Sequence, residues 1–257
     1  MTAMAPELIM AAFAGESRRL SEVMTGLDDA GFARPTRCVP WTVAELLYHV
    51  QMAVGRLTTM LADPDPDPDP GGTGLVTAAG YYRADGRFSP SVNADRVQSA
   101  QRQAADLPDA ATRVREFRQA RDDAWASVRD APPERLVRTR HGDRMLLAEF
   151  VRTRVFELAV HGLDLAVALD RSPWTTVEAA QVTEGLLLTP AEATSIRSAA
   201  GWDQVTLIAK LTGRVPVTAD EAEPIRSAGI RRLALGQHAV HSLPVGRAPG
   251  RWLRRAR

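Results

Sequence analysis

Apolar residues return at three- and four-residue intervals along most of the chain, a rhythm that predicts helices rather than strands. Over residues 6–27, Leu8, Ile9, Ala12, Phe13, Leu20, Val23, Met24 and Leu27 fall on one face. Gly31 and Pro35 close that segment. A second helix starts at Thr42, whose hydroxyl suits an N-cap, and Glu45 three residues on completes a capping box. Its apolar face carries Leu46, Val50, Ala53, Leu57 and Met60, with His49 among them. Helical spacing resumes over residues 93–105 and again over 109–129, where Pro132 and Pro133 end it. After a turn at His141-Gly142-Asp143, a further helix spans residues 146–169. Shorter helices follow at 177–188, 190–197 and 203–211, with an irregular unit up to Gly236.

Two stretches break the rhythm. Residues 63–70 alternate Asp and Pro, which forbids helix and central strand, so they read as an extended, solvated spacer rather than an acidic metal loop. Residues 81–90 read as a loop with some side chains turned inward. These boundaries divide the chain into a helical unit at 1–170, a small C-terminal domain at 171–236 and a basic, disordered tail at 237–257.

The helix at 146–169 carries the most chemical information. Val155, Phe156, Leu158, Ala159, Val160, Leu163, Leu165 and Ala166 make it apolar nearly all round, as in a buried helix. Arg154, Glu157, His161 and Asp164 interrupt it at spacings of three, four and three, which places all four on one stripe. An unpaired buried charge costs on the order of several kcal/mol, so this stripe needs partners. Two solutions fit: ion pairs of Arg154 with Glu157 and His161 with Asp164, or a metal ion held by Glu157 and His161. His49, from a facing helix, supplies the third ligand that a metal site in a bundle core requires. Three mixed N and O ligands leave a fourth position open, as in catalytic zinc sites. His141 lies in a glycine turn, and His238 and His241 lie in the tail.

Composition sets the frame. The 257 residues are 45% hydrophobic and 25% charged, ordinary values for a globular protein. A net charge of +1 gives no global field toward nucleic acid or membrane, so neither is an expected partner. Cys38 is the single cysteine, which excludes an intramolecular disulfide and agrees with a reducing cytoplasm. The N-terminus lacks the pattern of a signal peptide, and no apolar run approaches the roughly 20 residues of a membrane span. Abundant Ala, Arg, Asp and Pro with little Lys point to a GC-rich source such as an actinobacterium. No sustained heptad seam argues for a partner helix, which leaves monomer or homodimer.

Three strings resemble signatures of the mycothiol-dependent maleylpyruvate isomerase family, part of the DinB-like metalloenzymes. The first is Cys38-Val39-Pro40-Trp41-Thr42-Val43 with Glu45-Leu46-Leu47 and His49. The second is Arg154-Val155-Phe156-Glu157 with His161 and Asp164, in the pattern R-x-x-E-x-x-x-H-x-x-D. The third is Leu211-Thr212-Gly213-Arg214. The resemblance implies a mainly α fold, an up-down four-helix bundle with a small C-terminal helical or α+β unit. It implies zinc or another divalent metal on His49, Glu157 and His161, and mycothiol as cosubstrate. The thiolate would attack a small electrophile, giving isomerisation, S-conjugation or thiol transfer according to how the adduct resolves. Asp164 would orient His161, and Arg154 would hold Glu157. Arg83 and Arg214 are candidates to bind a carboxylate of substrate or thiol. Trp41 is expected to pack the base of its helix, and Cys38 to pack rather than react. Two other readings stay open: a metal-dependent hydrolase with Asp164 as base, and a non-enzymatic metal-binding stress protein.

Overall fold

The computed structural model describes residues 4–63, 74–83, 89–227, 229–230 and 233. The Asp-Pro run from residue 64 onward, residues 84–88, His238, His241 and the basic tail lie outside the described residues. In chain order the elements are α1 (Pro6–Thr25), α2 (Asp29–Phe32), α3 (Val43–Ala62), α4 (Ala78–Tyr81), α5 (Pro90–Ala105) and α6 (Ala110–Arg129). A hairpin of β1 (Leu136–Arg138) and β2 (Arg144–Leu146) leads into α7 (Leu147–Ala168). The chain continues through α8 (Val177–Leu187), α9 (Pro190–Ala200), α10 (Gln204–Leu211) and α11 (Ala219–Ser227).

The expected four-helix bundle is present. α1 packs on α6 and α7, and α3 packs on the same two helices, which closes the ring. Phe13, Leu46, Leu57, Phe117 and Phe150 are fully buried between them. Each such side chain contributes roughly 1.5–3 kcal/mol relative to exposure. α5 lies along α3, and α8 lies against α1 and α7. A separate apolar cluster of Leu188, Ile196, Trp202, Leu207, Leu211 and Ile225 gathers around α9, α10 and α11.

Local chemistry sets the helix ends. The Thr42–Glu45 capping box forms at α3, with Thr42 N donating to Glu45 Oε2 at 2.6 Å. α7 has no side-chain cap. Its first donors are met instead by the preceding loop, Leu147 N on Arg135 O at 2.8 Å and Ala148 N on Pro133 O at 3.0 Å. Asp170, at φ 54, turns the chain out of α7, and Arg171 N bonds back to Ala166 O at 2.9 Å.

Four features differ from the sequence expectation, the first being a separate helical turn, α2, capped by Asp28 after α1 ends. The region around His141 is a hairpin in which Val137 pairs with Met145. It is only three residues per strand, too short to show a period of two. Residues 78–81 form a single turn, α4, capped by Thr77. α11 is a polar helix with an acidic first turn, and it has little apolar periodicity to reveal it.

Candidate metal centre and pocket

α3 and α7 face each other, and their facing residues carry the site. His49 sits about two helical turns into α3 and Glu157 and His161 one turn apart on α7, so three ligating atoms converge. His161 Nε2 lies 3.3 Å from Glu157 Oε2, and His49 Nε2 lies 3.5 Å from the same oxygen. One ligand atom from each residue falls within 4.8 Å of the others. Two imidazole nitrogens and a carboxylate oxygen aimed at one point are a donor set that suits zinc or a similar divalent ion.

Neighbouring groups fix each of the three. Tyr82 Oη is 3.0 Å from Glu157 Oε1, which leaves Oε2 for the imidazoles. His161 Nδ1 lies 3.0 Å from Asp164 Oδ2. An ionised Asp only accepts, so Nδ1 carries a proton. Burial opposes charge on His161, but its bonds to Asp164, Cys38 and Glu157 outweigh that and favour the charged ring. Nε2 would thus offer its lone pair once a bound ion displaces the proton it shares with Glu157. Arg214 grips the same carboxylate with Nε to Oδ1 at 3.2 Å and Nη2 to Oδ2 at 3.0 Å. Cys38 Sγ donates to Asp164 Oδ2 at 3.2 Å. The Trp41 indole stacks on the His49 ring, with centroids 4.8 Å apart.

The electrostatics follow from this wiring. Burial works against charge on Glu157, but the hydrogen bonds from His161 and His49 outweigh it and hold the carboxyl well below its ordinary range. Burial also opposes charge on Asp164, and Arg214 and His161 together overcome it, holding that carboxyl low. His49 goes the other way: burial dominates and favours its neutral form. Burial, reinforced by Asp164, pushes the Cys38 thiol up.

A pocket of about 140 Å³ opens on the cluster. Trp41, Met52, Tyr81, Tyr82 and Phe150 supply aromatic and apolar walls. Arg56, Arg96, Arg140 and Arg154 also line it, and among the described lining residues Glu157 is the one carboxylate. His141, from the turn of the hairpin, is among the lining residues too.

The residues singled out from sequence are placed as follows. His49, Glu157 and His161 come together, with Asp164 directly behind His161. Arg154 lines the pocket but does not grip Glu157. Its guanidinium bonds Thr153 Oγ1 at 3.0 Å and Ala53 O at 3.3 Å and rests on the Phe150 ring. The group that holds Glu157 is Tyr82, which sequence reading left in a loop. Arg214 is buried with its fork spent on Asp164 and its third nitrogen on Thr212 O, which leaves no face for a substrate carboxylate. Arg83 is half exposed, pairs with Asp143 at 2.7 Å, and does not line the pocket. Trp41 stacks on a candidate ligand rather than only packing a helix base. Its position at the start of α3, two turns before His49, was the available signal. Nothing in the pattern around Tyr82 pointed to Glu157, because that stretch has no period.

A sequence model of one protein family, described as the mycothiol maleylpyruvate isomerase N-terminal domain, matches residues 13–166. A search of curated proteins found no match. Among solved structures, the chain is similar to a crystal structure of the mycothiol-dependent maleylpyruvate isomerase, at 15% identity and a TM-score of 0.48 over 77% of this chain and 75% of that one. A histidine-to-alanine mutant of that enzyme is similar at 14% identity and a TM-score of 0.48, over 78% and 75% of the two chains.

Proposed function

This chain belongs to the mycothiol maleylpyruvate isomerase N-terminal domain family, and from that premise we propose that it is an enzyme that uses mycothiol to transform a small electrophile at a metal centre on His49, Glu157 and His161. The convergence of His49 Nε2, His161 Nε2 and Glu157 Oε2 beside an open pocket carries this reading. A bound divalent ion would supply Lewis acidity and deprotonate a coordinated thiol at neutral pH. The protein's own groups do the rest. Tyr82 and Asp164 hold the ligating atoms in orientation, and Arg214 keeps Asp164 ionised and still. The aromatic walls exclude water from the thiolate, which is the nucleophile. Arg56, Arg96 and Arg140 favour an electrophile that bears a carboxylate. Addition to a cis double bond, rotation about the resulting single bond and expulsion of the thiolate give isomerisation. An adduct that persists gives S-conjugation.

The hydrolase reading needs a general base near the metal, and Asp164 could serve only if it reached past His161. That carboxylate is fully buried behind His161 and occupied by Arg214 and Cys38, so it cannot reach a water in the pocket. The pocket itself gives a purely metal-storing protein no purpose. The purified protein is expected to carry about one metal per chain by elemental analysis, and His161→Ala to lose it. With cobalt in place of zinc, mycothiol should raise a sulfur-to-metal charge-transfer band. A fully folded wild type that takes up no metal sinks the assignment, and absence of the band counts against thiol coordination.

A further inference from the structure

Cys38 is a buried thiol that the chemistry above does not use. Its backbone belongs to a tight turn that closes on itself. Thr36 N and Thr36 Oγ1 both donate to Trp41 O, at 2.9 and 2.7 Å. Trp41 N returns a bond to Cys38 O at 2.9 Å, and Cys38 N donates to Thr36 Oγ1 at 3.1 Å. One end of this turn presents Trp41 to the His49 ring. The other presents Cys38 Sγ to Asp164 Oδ2, the oxygen that receives His161 Nδ1.

We propose that the turn over residues 36–41 buttresses both histidines of the centre, and that Cys38 is a positioning residue whose thiol proton helps lock Asp164 against His161. This rests on the metal reading of the preceding subsection. The direction of the bond is set by chemistry: an ionised carboxylate has no proton to give, so the thiol donates. Three donors then meet on Oδ2, from His161, Arg214 and Cys38. Together they leave the carboxylate one orientation, and hence leave the imidazole one.

Two other roles fit less well. Cys38, His161 and Asp164 also place one ligand atom each within 4.8 Å, but the Arg214 fork covers both Asp164 oxygens, so a cation there would face a guanidinium. A nucleophilic thiol would need access to the pocket, and Cys38 is buried and does not line it.

The test uses the full chain with Cys38→Ala and Cys38→Ser. Zinc affinity is measured by chelator competition, apo stability by thermal melting, and the His161 Nδ1–H by its exchange rate in NMR of the metal-free protein. Cys38→Ala should weaken zinc binding about tenfold, the scale of lost outer hydrogen bonds to a ligand, and should speed exchange of the His161 proton. Cys38→Ser, which keeps a donor, should restore both, even if the two variants melt alike. Wild-type zinc affinity in Cys38→Ala overturns the proposal. So does an equal loss in both variants, which would make the thiol a packing group only. A wild type that binds no zinc defeats the metal reading separately. The exchange rate then still decides the positioning role, with an unchanged rate in Cys38→Ala overturning it.

Discussion

Individual side chains in this protein derive their roles from who faces them. Glu157 is a ligand candidate because Tyr82 occupies its other oxygen. Tyr82→Phe removes that donor while keeping the ring, and is expected to weaken metal binding about tenfold in a chelator competition, with the melting temperature changed little. Glu16 shows the opposite situation. It is fully buried in α1, and Oε2 accepts from Thr176 N and Thr176 Oγ1 at 2.8 and 2.9 Å. Oε1 has no hydrogen-bond partner among the described residues. Burial outweighs those bonds and pushes its carboxyl up to about 7. The folded state thus holds a proton that the unfolded chain has released at its ordinary value. Stability is highest at and below the ordinary carboxyl range, falls as pH rises toward about 7, and is level above that. The drop is on the order of 3 kcal/mol for such a shift. Glu16→Gln should flatten stability against pH across this window in denaturant titrations at pH 5 and pH 8. An undiminished slope in the variant would place the titration elsewhere.

Helices deliver the site because their ends are fixed before their faces matter. The Thr42–Glu45 box sets where α3 starts, and His49 follows from that start by helical geometry. Thr42→Ala is expected to cost about 1 kcal/mol in urea denaturation with one metal still bound per chain, since packing against α6 and α7 keeps α3 in place. The apolar rhythm made the long helices readable, and the polar stripe on α7 made Glu157 and His161 readable, because both follow from 3.6 residues per turn. Other parts of the centre have no such period. Tyr82 reaches Glu157 from a single turn of helix, and His141 reaches the pocket from a hairpin of three-residue strands. The Arg214 fork on Asp164 joins residues 50 positions apart. That pairing depends on how α10 docks, which no local pattern encodes. The sequence offers Arg214 as a partner for a carboxylate of substrate or thiol because a guanidinium fork suits one, whereas the carboxylate it grips is the protein's own buried Asp164.

At the scale of the whole molecule, the centre is assembled from distant parts of the chain. α3 and α7 bring the three candidate ligands, the 36–41 turn places Trp41 on His49 and Cys38 on Asp164, and the segment after α10 supplies Arg214. Arg37 Nη1 also donates to Arg214 O, which ties that segment to the turn. Asp164 has no exposure to solvent, so Arg214→Ala would remove its guanidinium partner and leave Oδ1 without that donor. Breaking a buried pair in this way costs roughly 3–5 kcal/mol. A matching fall in unfolding free energy, with weakened metal retention, is the expected result by denaturation and elemental analysis. The family match ends at residue 166, well short of this arginine. The matched stretch 13–166 thus contains Asp164 but not the arginine that pairs with it. Any recombination that joined this bundle to a different C-terminal partner would have to bring a cation to the same carboxylate or give up the carboxylate. The Arg214 guanidinium adds to the packing of α8 on α1 and α7 a charge requirement that ties the two parts of the chain to a shared inheritance.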